Sequence, residues 1–162
     1  MIRPMEAADY PAVAAIYRHY VTESTASFEL VAPSDAEMAG RLRAICERYP
    51  SFVAEVDGAI AGYAYAHEWK ARAAYAPTVE STVYLHPAMT GRGIGRALME
   101  RLIEACRAAG YRAIIADITV GNDASIALHR ALGFECVSMF RDVGSKFGQT
   151  LSVTDYQLLL SS

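Results

Sequence analysis

The stretch that most constrains this chain is Thr90-Gly91-Arg92-Gly93-Ile94-Gly95-Arg96. It lies between a β-branched run, Thr78 to Leu85, and a segment with Ile94, Leu98, Leu102 and Cys106 on one helical face. A strand that runs through glycines into a helix start gathers free backbone N–H groups and the positive helix end at one spot. Anions bind there without side-chain charge. The glycines permit positive φ and close backbone approach. Two phosphate loops are excluded by pattern. The nucleoside-triphosphate loop needs GxxxxGK[ST], and no Lys-Ser or Lys-Thr follows. The dinucleotide fingerprint needs GxGxxG, but its sixth position here is Arg96. Residues 97–162 also leave too little chain for the βαβ units that follow such a loop. What remains is GxGxG beside Arg92 and Arg96: an anion cradle, or a tight turn with no ligand.

The segments around the loop define a mixed α/β chain. Ile2-Arg3 reads as a short strand. Asp9 reads as an N-cap with Pro11 in the first turn, followed by Val13, Ile16, Tyr17 and Tyr20 at helical spacing. Residues 22–33 lack a period and read as a loop or broken helix. Ser34 to Glu37 has the form of a capping box, and Met38, Leu42, Ile45 and Tyr49 form a stripe that Pro50 ends. Asp57-Gly58 between apolar runs predicts a hairpin. Thr78 to Leu85 reads as a strand, and the helix after the glycine loop runs to about Gly110. "RAIIADIT" predicts a central strand, because it is almost wholly apolar. Asn122 or Asp123 caps a short helix ending at Gly133, and two further strands, paired antiparallel, close the chain. The order is strand, two helices, three strands, helix, strand, helix, two strands.

Composition narrows the function classes. The chain has 162 residues, 53% hydrophobic and 20% charged, which suits one packed domain over residues 1–162. A net charge of -3 gives no global pull toward nucleic acid or anionic membranes. Cys46, Cys106 and Cys136 are odd in number and form no CxxC. With His67 and His86 far from them, metal-ligand spacing is absent. Cys46 and Cys106 fall in helical patterns and read as core. No cationic-then-apolar leader opens the chain and no apolar run approaches ~18 residues, so a cytoplasmic protein with reduced thiols and no metal is expected.

Two ordered motifs carry a resemblance. "TVYLHPAMTGRGIGRALMERLIEAC" resembles motif A of the GNAT superfamily of acyl-CoA-dependent N-acetyltransferases, with Thr90 where that family usually has Gln or Arg. "NDASIALHRALGF", Asn122 to Phe134, resembles motif B, with His129 where a Tyr often stands. "YPSFVAEVDGAIAGYAYAHEWKARAAYAPTVESTVYL", then "VGSKFG" and "YQL", resemble the phosphinothricin and methionine sulfoximine (or sulfone) N-acetyltransferase branch over nearly the whole chain. Departures fall at Ala73 and at Ala76-Pro77. The resemblance implies a GNAT fold: a mixed, mostly antiparallel central sheet flanked by about four helices. It also implies acetyl-CoA as cosubstrate, a small amino-acid-like substrate, a homodimer and a part in herbicide resistance.

The implied reaction moves an acetyl group from a thioester to an α-amino group. An ammonium has no lone pair, so a base must take its proton, and the developing oxyanion needs a donor. The resemblance makes Glu80 the general base; otherwise Glu80 faces solvent or pairs with Arg72. His129 stands where relatives carry a residue near the CoA sulfur, as acid, shared base or substrate contact. A lone His is otherwise more often structural. Backbone groups of Val83, Tyr84 and Leu85 are expected to hold the pantetheine arm as an added strand. Gly91, Arg92, Gly93, Ile94, Gly95 and Arg96 are expected at the pyrophosphate, and Asn122 and Ser125 along the cofactor arm. Phe28, Lys70, Arg72, Ala73, Ala74 and Tyr75 are the expected substrate contacts, since an Arg fork matches a carboxylate. Lys146 and Phe147 are expected to line the pocket from a late loop, across a dimer interface. Two other functions fit the same motifs: a peptide or protein N-terminal acetyltransferase, and a non-catalytic acyl-CoA-binding sensor.

Overall fold

The computed structural model describes residues 1–160. The predicted order of elements is present throughout. It runs β1 (Ile2–Pro4), α1 (Tyr10–Glu23), α2 (Asp35–Arg48), β2 (Ser51–Val56), β3 (Ala59–Glu68), β4 (Thr78–Leu85), α3 (Ile94–Ala108), β5 (Ala113–Thr119), α4 (Asp123–Ala131), β6 (Glu135–Lys146) and β7 (Gln149–Leu159). Single 3-10 turns precede α1, cross the 70–77 loop and follow β4.

The strands form one sheet in the order β1-β2-β3-β4-β5-β7-β6. Among the described residues only β4 and β5 pair parallel, and every other pair is antiparallel. The β2–β3 turn is the expected Asp57-Gly58 pair, both with positive φ (51° and 78°), which matches the strand twist.

Strand alternation sends neighbouring side chains to opposite faces, so the sheet has two cores. On one face α3 buries Leu98, Met99, Leu102 and Cys106 against Phe52, Ala54, Ala64, Ala66, Val79 and Ile114. On the other, α1 and α2 bury Val13, Ile16, Met38 and Leu42 against Val53 and Tyr63. A fully buried side chain of this size contributes roughly 1.5–3 kcal/mol. Cys106 has no exposure, and burial pushes its thiol up to about 12, as expected of a core residue. Cys46, on α2, is half-buried and packs against the second core.

Local details differ from the sequence reading where a longer-range partner wins. Asp9 occupies the N-cap of α1, yet its side chain makes no cap bond to that helix. Instead it accepts two 2.8 Å hydrogen bonds from Arg3, which hold its carboxyl below the usual range, and one from the Glu6 amide. Ser34 accepts from the Glu37 amide at 3.1 Å, which forms the forward half of the box. The "SKFG" segment is not a loop: Lys146 ends β6, and Phe147-Gly148 is a two-residue hairpin turn at positive φ.

Candidate active site

The sheet opens at its centre. β4 and β5 pair only at Thr78–Ala113, Val79–Ile114 and Glu80–Ile115. Beyond Glu80 they part, while each keeps its outer partner, β3 or β7. The inner edge of Ser81–Leu85 is thereby released from strand pairing, and unpaired backbone N–H and C=O groups form a slot for a strand-like ligand.

A cleft of about 470 Å³ lies at this fork. It is lined among others by Phe28, Glu80, Val83, Tyr84, Asn122, Ser125 and His129. The structure therefore brings together expected residues from three parts of the chain. Leu85 is not among the residues that line the cleft, and its carbonyl accepts from Tyr20 Oη at 2.6 Å. The Ser81 Oγ, also at the cleft, is buried without a partner. The unpaired backbone donors and acceptors of β4 beyond Glu80 fit a polar, extended ligand arm.

Glu80 projects from β4 opposite His67 of β3, and His67 Nε2 lies 3.2 Å from its carboxylate. The partner of the Glu80 carboxylate is thus His67 and not Arg72. His129 is only 3% exposed. Its Nδ1 lies 2.7 Å from the Ser125 carbonyl, an acceptor, so that nitrogen carries the hydrogen and Nε2 keeps the lone pair. Burial lowers the imidazole's affinity for a further proton, with the Ser125 contact opposing it. A neutral ring of this kind can accept a hydrogen bond but has no Nε2 proton to donate.

Downstream of β4, Gly91 and Gly93 adopt φ of 75° and 78°, and Gly93 is the N-cap of α3. The amides of the first turn of α3 are directed outward there. Gly95 packs beneath Leu85 and Leu128. Arg96 is paired with Glu100 at 2.8 Å, and Arg92 rests on the Met89 sulfur, so this cradle is chiefly backbone. Thr90 turns its hydroxyl back to the Pro87 carbonyl. Asn122 caps α4 by accepting from the Ser125 amide.

The strap formed by residues 24–33 closes the cleft on the α1 side. It is held by long-range bonds: Thr119 Oγ1 to the Thr25 carbonyl at 2.8 Å and Lys146 Nζ to the Ser27 carbonyl at 2.6 Å. Tyr17 donates to Glu29, and Arg41 grips Glu29 through two 2.9 Å bonds that hold its carboxyl below the usual range. Phe28 lies on Gly144, where a Cβ would sit 2.5 Å from the ring. Lys146, 3% exposed, is an anchor for the strap and does not line the cleft; Phe147 faces outward.

The "WKARAAY" loop lies elsewhere. Lys70 stacks over Trp69 and Tyr75, at 4.8 and 5.5 Å from the ring centres, and the two rings meet edge-on. This folds Lys70, Arg72, Ala73 and Tyr75 around a second groove of about 310 Å³ with Arg48, Tyr49 and Tyr111. Within one chain they do not share the cleft with Glu80, and Ala74 lines neither space.

Sequence reasoning missed Glu29 and Asp117, both in the cleft. Asp117 carries the only charge in the run Ala113–Thr119, and a charge inside a central strand is the signal that would have found it. Its side chain shares the cleft face with that of Glu80. Burial first, then Asp155 opposite it on β7 and Glu80, push its carboxyl up to about 6.

A forked, mostly antiparallel sheet with a glycine cradle and a carboxylate at the fork defines a group-transfer enzyme that takes a long, phosphate-bearing donor. The acetyltransferase (GNAT) family profile matches residues 13–134, and the chain belongs to this family. It is 40% identical to a phosphinothricin N-acetyltransferase of Alcaligenes faecalis, over 99% of this chain and 83% of that protein. It is 38% identical to an L-methionine sulfoximine/L-methionine sulfone acetyltransferase of Salmonella typhimurium, over 98% and 94%. A GNAT superfamily phosphinothricin acetyltransferase from Sinorhizobium meliloti, solved with acetyl-CoA, superposes with a TM-score of 0.97 at 42% identity, over 99% of this chain and 88% of that one. The fold is thus the GNAT fold anticipated from the motifs.

Proposed function

We propose that this chain transfers the acetyl group of acetyl-CoA to the α-amino group of a small amino-acid analogue of the phosphinothricin, methionine sulfoximine or methionine sulfone type. The observation that carries this is the fork itself, with Glu80 at the point where β4 and β5 separate. The activities named for the relatives support the substrate class. Acetyl-CoA supplies the activated acetyl thioester. The amides at Gly91–Arg96 and the N-terminus of α3 hold its pyrophosphate, and the freed edge of Val83–Leu85 pairs with its pantetheine arm. Asn122 and Ser125 flank that arm.

Glu80 takes the proton from the incoming ammonium, directly or through one water, and His67 steadies the carboxylate. A β4 backbone N–H faces the developing oxyanion. His129 accepts a hydrogen bond through Nε2 and orients the substrate. Phe28 forms an apolar wall. A single domain over residues 1–162, acting in the cytoplasm, completes the reading. So does a homodimer: β6 is a sheet edge that exposes Val137, Met139, Phe140 and Val143. In the dimer, the Lys70–Tyr75 loop is free to meet the substrate of the partner. Acetylation of phosphinothricin would confer herbicide resistance. The test is release of free thiol from acetyl-CoA across a panel of amino-acid analogues. Acetylation of peptides but not of free amino acids would instead identify a peptide N-acetyltransferase.

A further inference from the structure

Among the described residues of one chain, the charge lining the cleft is one-sided. Glu29, Glu80 and Asp117 face it, and no Lys or Arg is among its lining residues. Glu29 is neutralised by the Arg41 fork, and Glu80 meets His67. Asp117 has no compensating group: no hydrogen-bond donor or cation acts on its carboxylate among the described residues, only the like charges of Asp155 and Glu80. Asp155 is itself held by Ser138 Oγ at 2.7 Å. Lys146, the buried cation of β6 that anchors the strap, spends its ammonium on the Ser27 and Tyr20 carbonyls. His129 is neutral for the reasons given above.

An amino acid with an uncharged side-chain tip enters such a cleft with no net charge. One with an anionic tip enters with a net negative charge and meets an uncompensated carboxylate across a partly desolvated space, where Coulomb repulsion is several times stronger than in water. We propose that Asp117 is a specificity-determining residue that turns this enzyme toward substrates with neutral sulfone or sulfoximine tips and against the anionic phosphinate of phosphinothricin. The proposal rests on the amino-acid acetyltransferase reading above and narrows its substrate. The feature is local to this strand: a single carboxylate in the apolar run of β5 decides it.

The test compares kcat/KM for L-methionine sulfone and for phosphinothricin, in the wild type and in Asp117→Asn. Acetyl-CoA binding by calorimetry verifies that the variant is folded, and the isosteric amide removes only the charge. The wild type is expected to favour the sulfone by on the order of tenfold, and Asp117→Asn to lower that preference by about the same factor. Turnover of both substrates with an unchanged ratio in the variant overturns the role of Asp117 and leaves the reaction standing. A wild type that prefers phosphinothricin overturns it as well. No turnover of any panel amine by a protein that binds acetyl-CoA overturns the amino-acid reading, and this proposal with it.

Discussion

At the scale of single residues, Glu80 and Asp117 make opposite demands on their surroundings. Glu80→Gln keeps the shape of the side chain and removes the proton acceptor. Turnover is expected to fall by about 100-fold or more, while the acetyl-CoA dissociation constant measured by calorimetry stays within twofold. For Asp117, the folded state raises the carboxyl from 3.8 to about 6. Folding therefore favours the protonated form, so ionisation costs stability above about pH 6, and the cost vanishes as pH falls below about 4. The group is more than a third exposed, and screening limits the effect to about 1 kcal/mol. Asp117→Asn is expected to raise Tm at pH 8 and to leave it unchanged near pH 4. The place of Glu80 at the cleft was legible in the sequence because the motif around it is specific. Asp117 was not, because only the pairing of β5 with β7, and its parting from β4, place it beside other carboxylates. Lys70 and Arg72 were read as substrate contacts from their charge and their place next to the Glu80 strand; stacking of Lys70 on Trp69 and Tyr75 decides where that loop goes within one chain.

Among the elements, the cradle and the strap are shaped by backbone geometry and backbone hydrogen bonds. A Cβ at Gly93 would meet no neighbouring atom, but φ there is +78°. The penalty of Gly93→Val is therefore conformational, about 1–3 kcal/mol for a β-branched residue. It falls on the cap of α3, so KM for acetyl-CoA is expected to rise about tenfold or more. Thr90→Gln, by contrast, should shift that KM less than threefold, since the Thr90 hydroxyl only turns back to Pro87. The strap tells a different story. Lys146→Met strips the Ser27 carbonyl of its buried donor, an unmet group worth about 1–3 kcal/mol. A Tm lower by several degrees and a raised KM for the amine substrate are expected. Element boundaries were legible because periodicity and turn chemistry are local signals. The strap was not, since its anchors, Thr119 and Lys146, lie 94 and 119 residues away from Thr25 and Ser27.

For the molecule as a whole, the two-faced sheet gives each layer of helices its own task. α3 closes one core and, on the proposed function, its N-terminus faces the cofactor; α1 and α2 close the other and hold the strap between them. The mixed α/β class followed from the order of elements alone. The insertion of β7 between β5 and β6, and the early parting of β4 from β5, depend on non-local pairing that no periodicity encodes. The exposed apolar edge at β6 is expected to be covered in a dimer, with a sedimentation mass twice that of one chain; Phe140→Glu should shift that mass toward the monomer. The most direct measurement is thiol release from acetyl-CoA with L-methionine sulfone as acceptor, in wild type and Glu80→Gln side by side. Rapid release by the wild type and its near-complete loss in a variant that still binds acetyl-CoA is the predicted result. Equal rates in the two proteins would contradict the assignment of Glu80, and no release by either would contradict the reaction itself.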